Sequence, residues 1–169
     1  HDVNFPENIT LGIFFGLLEK NENMFTYSVQ LAGYPYERID DKGPVNYDVF
    51  LKYFDAFPWL EQLEELDQLK EGASATIFVN ADGEEKELWI SIAGSRQKNY
   101  FLVGYVYIRI KKALFGLGKE KQVKWVDIYE AGDGIQVKYL FKLFFDKKFD
   151  KLAVELDQLN SFDSMEAYA

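Results

Sequence analysis

Cysteine is absent from the 169 residues, and histidine occurs once, at position 1. Without thiols there is no disulfide framework and no thiolate nucleophile. With one terminal imidazole, serine–histidine pairs and most zinc or haem sites lose their usual groups. Long apolar runs are scarce as well. The longest covers residues 9–18 and is broken by Gly12 and Gly16. It has about half the length of a bilayer-spanning helix, and no basic stretch precedes it, as a secretory leader would need. A membrane role is therefore not expected. The cysteine-free composition fits a reducing compartment, so the expected location is the cytoplasm. The triplet Asn8-Ile9-Thr10 matches a glycosylation acceptor, but so short a match is common by chance.

What is present is an aromatic-rich, acidic chain. Hydrophobic residues make up 48% and aromatic residues 17% of it. That content excludes an intrinsically disordered chain, and the length suits one domain spanning residues 1–169 with a core large enough to need no staples. The formal net charge is −9, unevenly spread: residues 37–71 hold ten acids against four bases, and residues 99–151 hold eleven bases against six acids. After Lys151 come Glu155, Asp157, Asp163 and Glu166 with no base. An acidic field of this kind steers basic partners toward it. The lysines of the basic half are interleaved with acids, so a nucleic-acid partner is not expected.

Periodicity places the elements. Residues 9–19 read equally well as a strand or a buried helix. Residues 24–31 (MFTYSVQL) read as a strand, followed by a polar turn at residues 40–44. Asn46 is placed to cap a helix whose apolar stripe is Tyr47, Phe50, Leu51, Phe54 and Phe57. Pro58 suits the start of a second helix with Trp59, Leu60, Leu63, Leu66 and Leu69 inward and Glu61, Glu64, Glu65 and Gln68 outward. Strands follow at 75–80 and 86–92 about an Asp82-Gly83 turn, at 99–112 and at 123–130. Both faces of 99–112 are partly apolar, as in a central strand that is covered or bound on each side. In residues 135–145 every odd position is apolar, a strand signal. Asp133 with Gln136 forms a helix-capping pair, and a helix is the expectation adopted. Asp146 is expected to cap a last helix carrying Phe149, Leu152, Leu156 and Leu159, with a loose tail beyond about residue 160. The fold class expected is α+β: a mostly antiparallel sheet of about five strands, a central meander, with helices packed on it.

No residue set forms a recognised chemical site. Gly116-x-Gly118 and Gly132-x-Gly134 lack the remainder of a phosphate loop. The stretch 80–85 has oxygen ligands without a calcium-loop pattern, so no metal and no cofactor are expected. Ser95 with Lys98 is a formal nucleophile–base pair without a supporting motif. Glu61 with Glu65 lies on a solvated helix face, no acid sits visibly in an apolar run, and Asp127, between Val126 and Ile128, comes nearest to an exception.

The tyrosines can supply rigid contact area. In size, acidity, aromatic content and lack of catalytic groups the chain resembles bacterial immunity proteins that block a toxin, often a nuclease. That compositional likeness implies a basic protein partner, neutralised by electrostatic and steric occlusion. Glu61, Glu64, Glu65 and Asp67 would pair with its cations, and Tyr34, Tyr36, Tyr105 and Tyr107 would provide the contact core. Two alternatives make different demands. A carboxylate-dependent hydrolase requires a pocket with two acids, at least one of raised pKa. A structural or accessory subunit requires an exposed apolar face.

Overall fold

In a computed structural model, residues 24–112 and 118–167 are described. They form a seven-stranded antiparallel sheet with four helices packed on it. The chain runs β1 (Phe25–Gln30), β2 (Asp40–Val45), α1 (Tyr47–Ala56), α2 (Trp59–Leu69), β3 (Thr76–Ala81), β4 (Lys86–Gly94), β5 (Asn99–Lys111), β6 (Lys121–Ala131), α3 (Gly134–Phe145), α4 (Phe149–Leu156) and β7 (Asn160–Glu166). The spatial order of strands is β2-β1-β3-β4-β5-β6-β7. The expected α+β class is the observed one. The residues 9–19 lie outside the described part.

Two strands more than expected are present, and both are sheet edges. The polar turn expected at 40–44 is β2, and the loose tail expected after residue 160 is β7. An edge strand needs no apolar face, so hydrophobic alternation does not reveal it. Pro44 is tolerated in β2 because an edge has one side free of ladder bonds. A bulge between Tyr27 and Ser28 accommodates Gly43 at φ 81°, and the Gly43 N–H donates to Asp41 Oδ1 at 2.8 Å.

The helix starts follow the expected chemistry. Asn46 accepts from the Val49 N–H at 2.9 Å. Asp133 accepts from the Gln136 N–H at 2.9 Å, while Gln136 Oε1 accepts from the Gly132 N–H at 2.7 Å. In α3 the buried residues include Val137, Leu140, Phe141 and Phe144. Their three- and four-residue spacing outweighs the odd-position pattern. Asp146 does not cap the last helix. It ends α3 and takes Lys142 Nζ at 2.7 Å, and Lys148 is the N-terminal flank of α4. In α2, Leu63 is buried but Leu60 and Leu69 are exposed, so the inward stripe is narrower than expected.

The core lies between the helices and one face of the sheet. Phe25, Val29, Ile77, Val79, Leu88, Ile90, Val103 and Tyr105 meet Phe50, Phe54, Phe141, Phe144, Leu152 and Leu156. Phe50 and Phe141 stack with ring centres 4.3 Å apart. Trp59 meets Phe101 edge-on at 5.3 Å, which fixes α2 over β5.

The other face of the sheet carries different chemistry. The strand register lines up Thr26, Asn80, Glu87, Val106, Val126 and Met165 across β1, β3, β4, β5, β6 and β7. A neighbouring row runs Ser28, Phe78, Trp89 and Gly104. None of these residues belongs to the helix-packed core.

Candidate functional site

The expected partner-binding residues fall into two groups. Glu61, Glu64, Glu65 and Asp67 lie on α2, beside the loop that carries Tyr34 and Tyr36. Tyr105 and Tyr107 lie on β5, where they adjoin β6 and α4.

The first group is a built surface. Gln30 is buried, and its amide donates to the carbonyls of Tyr36 at 3.0 Å and Arg38 at 3.2 Å, which fixes the loop from beneath. The Tyr34 phenol donates to Asp40 at 3.1 Å under the Arg38 guanidinium, which sits 3.8 Å from the ring centre. Burial, then that bond to Asp40, raises the Tyr34 pKa, so the phenol stays protonated as a donor. Tyr34 is thus a brace, and Tyr36, at 73% exposure, is the presented aromatic. The loop is tied to the end of α2 by the Gly33 N–H to Ala73 C=O and Ala73 N–H to Tyr34 C=O bonds, both 2.9 Å. Gly72 has φ 90°, and a Cβ there would stand 2.7 Å from the Gly33 backbone, so only glycine lets the two segments meet.

A shallow cleft of about 360 Å³ runs from Tyr36 past Leu63, Leu66 and Asp67 to Gly72 and Gly94. A second, of about 250 Å³, continues past Glu64 and Asp67 to the turn Gly94–Gln97. Glu64 is already paired with Arg96, which leaves Glu61, Glu65 and Asp67 as the solvated acids of the helix. Ser95 and Lys98 belong to the same β4–β5 turn, where the Lys98 N–H donates to Ser95 Oγ at 3.2 Å. That bond is turn chemistry and leaves the Ser95–Lys98 pair without the arrangement of a nucleophile and base.

The second group is largely internal. Tyr105 is 8% exposed and belongs to the core, so it cannot offer contact area without unfolding. Burial pushes its pKa up to about 12. Tyr107 donates to Asp127 Oδ2 at 2.8 Å, and burial with that bond pushes its pKa up to about 12. Asp127 Oδ1 takes the Ser164 hydroxyl at 2.5 Å, and Ser164 Oγ accepts from the Trp125 indole at 2.8 Å. Both oxygens of Asp127 are therefore committed to joining β5, β6 and β7. This is a structural network, and it accounts for the acid among apolar residues.

Sequence reasoning missed Glu87. It stands on the open face in a groove of about 730 Å³, with Phe78, Asn80, Trp89, Val106, Lys124, Val126 and Met165 among the lining. Burial raises its carboxyl above the ordinary value, partly offset by the Lys124 charge. The signal was present: strict alternation along β4 puts Glu87, Trp89 and Ser91 on one face and Leu88, Ile90 and Ile92 on the other. Among the described residues no group of three or more acids or imidazoles is placed to hold a metal, and no helix is long and apolar enough to cross a membrane. No family model, curated protein or solved structure matches the chain.

Proposed function

We propose that this chain is a protein-binding module that docks a basic partner and blocks it by occlusion, in the manner of an immunity-type inhibitor of a bacterial toxin or nuclease. The observation that supports this reading most is the rigid presentation of Tyr36 beside Asp67 on the acidic helix α2. An exposed tyrosine on a loop braced by Gln30 and Tyr34 loses little entropy on docking. Asp67 lines the same cleft, and Glu61 and Glu65 are exposed on the outer face of the helix. Such acids mainly accelerate encounter and fix register, whereas the aromatic anchor slows release.

A triple substitution of Glu61, Glu65 and Asp67 to their amides tests the electrostatic part. Three rim pairs at roughly 0.2–1 kcal/mol each would weaken binding by about 0.6–3 kcal/mol, chiefly through the association rate. Tyr36→Ala removes the anchor and raises the dissociation rate, a loss of about 2 kcal/mol. If both variants bind the partner as the parent does, this surface is not the interface.

The hydrolase alternative keeps one supporting observation, the raised pKa of Glu87 in a groove. Its cross-strand neighbours are Asn80 and Val106, so no second carboxylate stands opposite it as paired-acid chemistry requires.

A further inference from the structure

Among the described residues the Glu87 carboxylate on the open face of the sheet makes neither a hydrogen bond nor an ion pair, and Lys124, whose charge it feels, does not pair with it. Trp89 is its neighbour two residues along the same face. The indole rests on Gly104, whose missing side chain makes room for it: a Cβ there would fall 1.9 Å from Trp89 Cε2. The Trp89 N–H has no acceptor among the described residues, whereas those of Trp59 and Trp125 donate to Phe54 C=O and Ser164 Oγ. The half-buried Phe78 and Met165 offer apolar surface beside the pair, over the buried Val106 and Val126.

A carboxylate removed from water gains most from a cation that hydrogen-bonds to it. An indole face also attracts cations. Elsewhere in the groove Glu166 is paired with Lys111 at 3.3 Å, Asp82 and Glu85 stand beside Lys86 and Lys124, and the Lys86 ammonium is drawn toward the Phe149 ring, 5.2 Å from its centre, so Glu87 is the charge left for a partner. A guanidinium fits better than an ammonium, because its planar fork can meet the carboxylate with two bonds while stacking on an aromatic face.

We propose that the open face of the sheet is a second docking site, in which an arginine side chain of a partner protein lies on Trp89 and pairs with Glu87, its neighbours packing on the half-buried Phe78 and Met165. This site is on the side of the sheet opposite the helices and does not depend on the α2 surface. Lys124 opposes the incoming cation and sets the threshold for binding.

The test uses the full chain and its three indole N–H signals in ¹H–¹⁵N spectra, assigned by single Trp→Phe variants. The probes are N-acetyl-arginine methylamide, the blocked tripeptide Leu-Arg-Leu, and the citrulline counterpart of each. The arginine probes are expected to move the Trp89 signal and leave those of Trp59 and Trp125 in place, and the tripeptide is expected to bind more tightly than the single residue. Glu87→Gln should weaken arginine binding roughly tenfold, the scale of one charge-assisted hydrogen bond. Lys124→Met should strengthen it, an opposite response that misfolding does not produce. The Glu61, Glu65 and Asp67 amide variant should leave it unchanged. Equal binding of citrulline, an unmoved Trp89 signal, or no effect of Glu87→Gln overturns the proposal. A single residue that binds as tightly as the tripeptide makes this a small-guanidine site, and a Trp89 signal that shifts on simple dilution makes it a contact between copies. Either result also overturns it.

Discussion

Replacing Gly104 with alanine would put a methyl group inside the Trp89 indole. The added Cβ would lie 1.9 Å from Cε2, 2.2 Å from Cζ2 and 2.4 Å from Nε1. Ordinary carbon contacts are about 3.5–4.0 Å, so roughly 1.5 Å must be found by swinging the ring off β5. Phe78 is the cross-strand neighbour of Trp89 on β3, which limits that movement. Overpacking of this sort costs about 1–3 kcal/mol. Alanine recovers about 0.4–1 kcal/mol by restricting the unfolded chain. An overlap this deep puts the cost in the upper half of that range, so the net expectation is a loss of about 1–2.5 kcal/mol, or roughly 2–10 °C in Tm for a chain of this size. Urea unfolding with an unchanged m-value is the assay, repeated in a Trp89→Leu background. There the smaller side chain vacates the space, and the Gly104→Ala loss should fall to within about 0.5 kcal/mol of zero. A Gly104→Ala protein as stable as the parent, or an equal loss in both backgrounds, would refute the placement of Trp89 on Gly104.

Phe50 is fully buried and stacked on Phe141, so Phe50→Ala should lose about 3–5 kcal/mol by chemical denaturation. Phe162→Ala on exposed β7 should stay within about 0.5 kcal/mol of the parent. Tyr105 and Tyr107 have pKa values raised from 10.0 to about 12, so the stability they contribute is complete below pH 10 and is lost as pH rises from 10 to 12. Tyrosinate absorbance should therefore develop together with loss of near-ultraviolet circular dichroism; ionisation of all tyrosines near pH 10 with the fold intact would contradict this. The raised pKa of Glu87 runs in the same sense: its contribution is complete below 4.5 and is lost as pH rises through the folded-state value. Glu87→Gln should match the parent in Tm near pH 4 and exceed it at pH 7, and a variant less stable than the parent at pH 7 would contradict the burial of that charge.

The legible parts of the fold were those with a buried side. Residues 86–92 and 99–112 announce strands because one face must meet the helices, and Asn46 and Asp133 announce helix starts because orphan N–H groups need acceptors. β2 and β7 were illegible for the converse reason. Their residues are mostly exposed, so pairing with one neighbour leaves no pattern of apolar positions. The aromatic residues divide in a way that composition does not show. Tyr105 and Tyr36 are the same residue type in strand-like or loop contexts, yet one is 8% and the other 73% exposed. What separates them is β5 lying under the helices, a long-range fact, and Gln30 anchoring the Tyr36 loop from six residues away. Asp127 looked isolated because its partners, Tyr107 and Ser164, are 20 and 37 residues away. Glu87 was overlooked although the alternation that places it beside Trp89 is local.

The central claim is that the molecule acts by presenting a rigid, acidic and aromatic surface to a basic protein. The most direct measurement is the affinity of the full chain for the product of its neighbouring gene, at low and high salt, for the parent and for the variant with amides at 61, 65 and 67. Tight binding in the parent, weakened by salt and by roughly threefold or more in the variant, is the predicted result. Binding that ignores both salt and the three substitutions, or no binding at low salt, would contradict the claim.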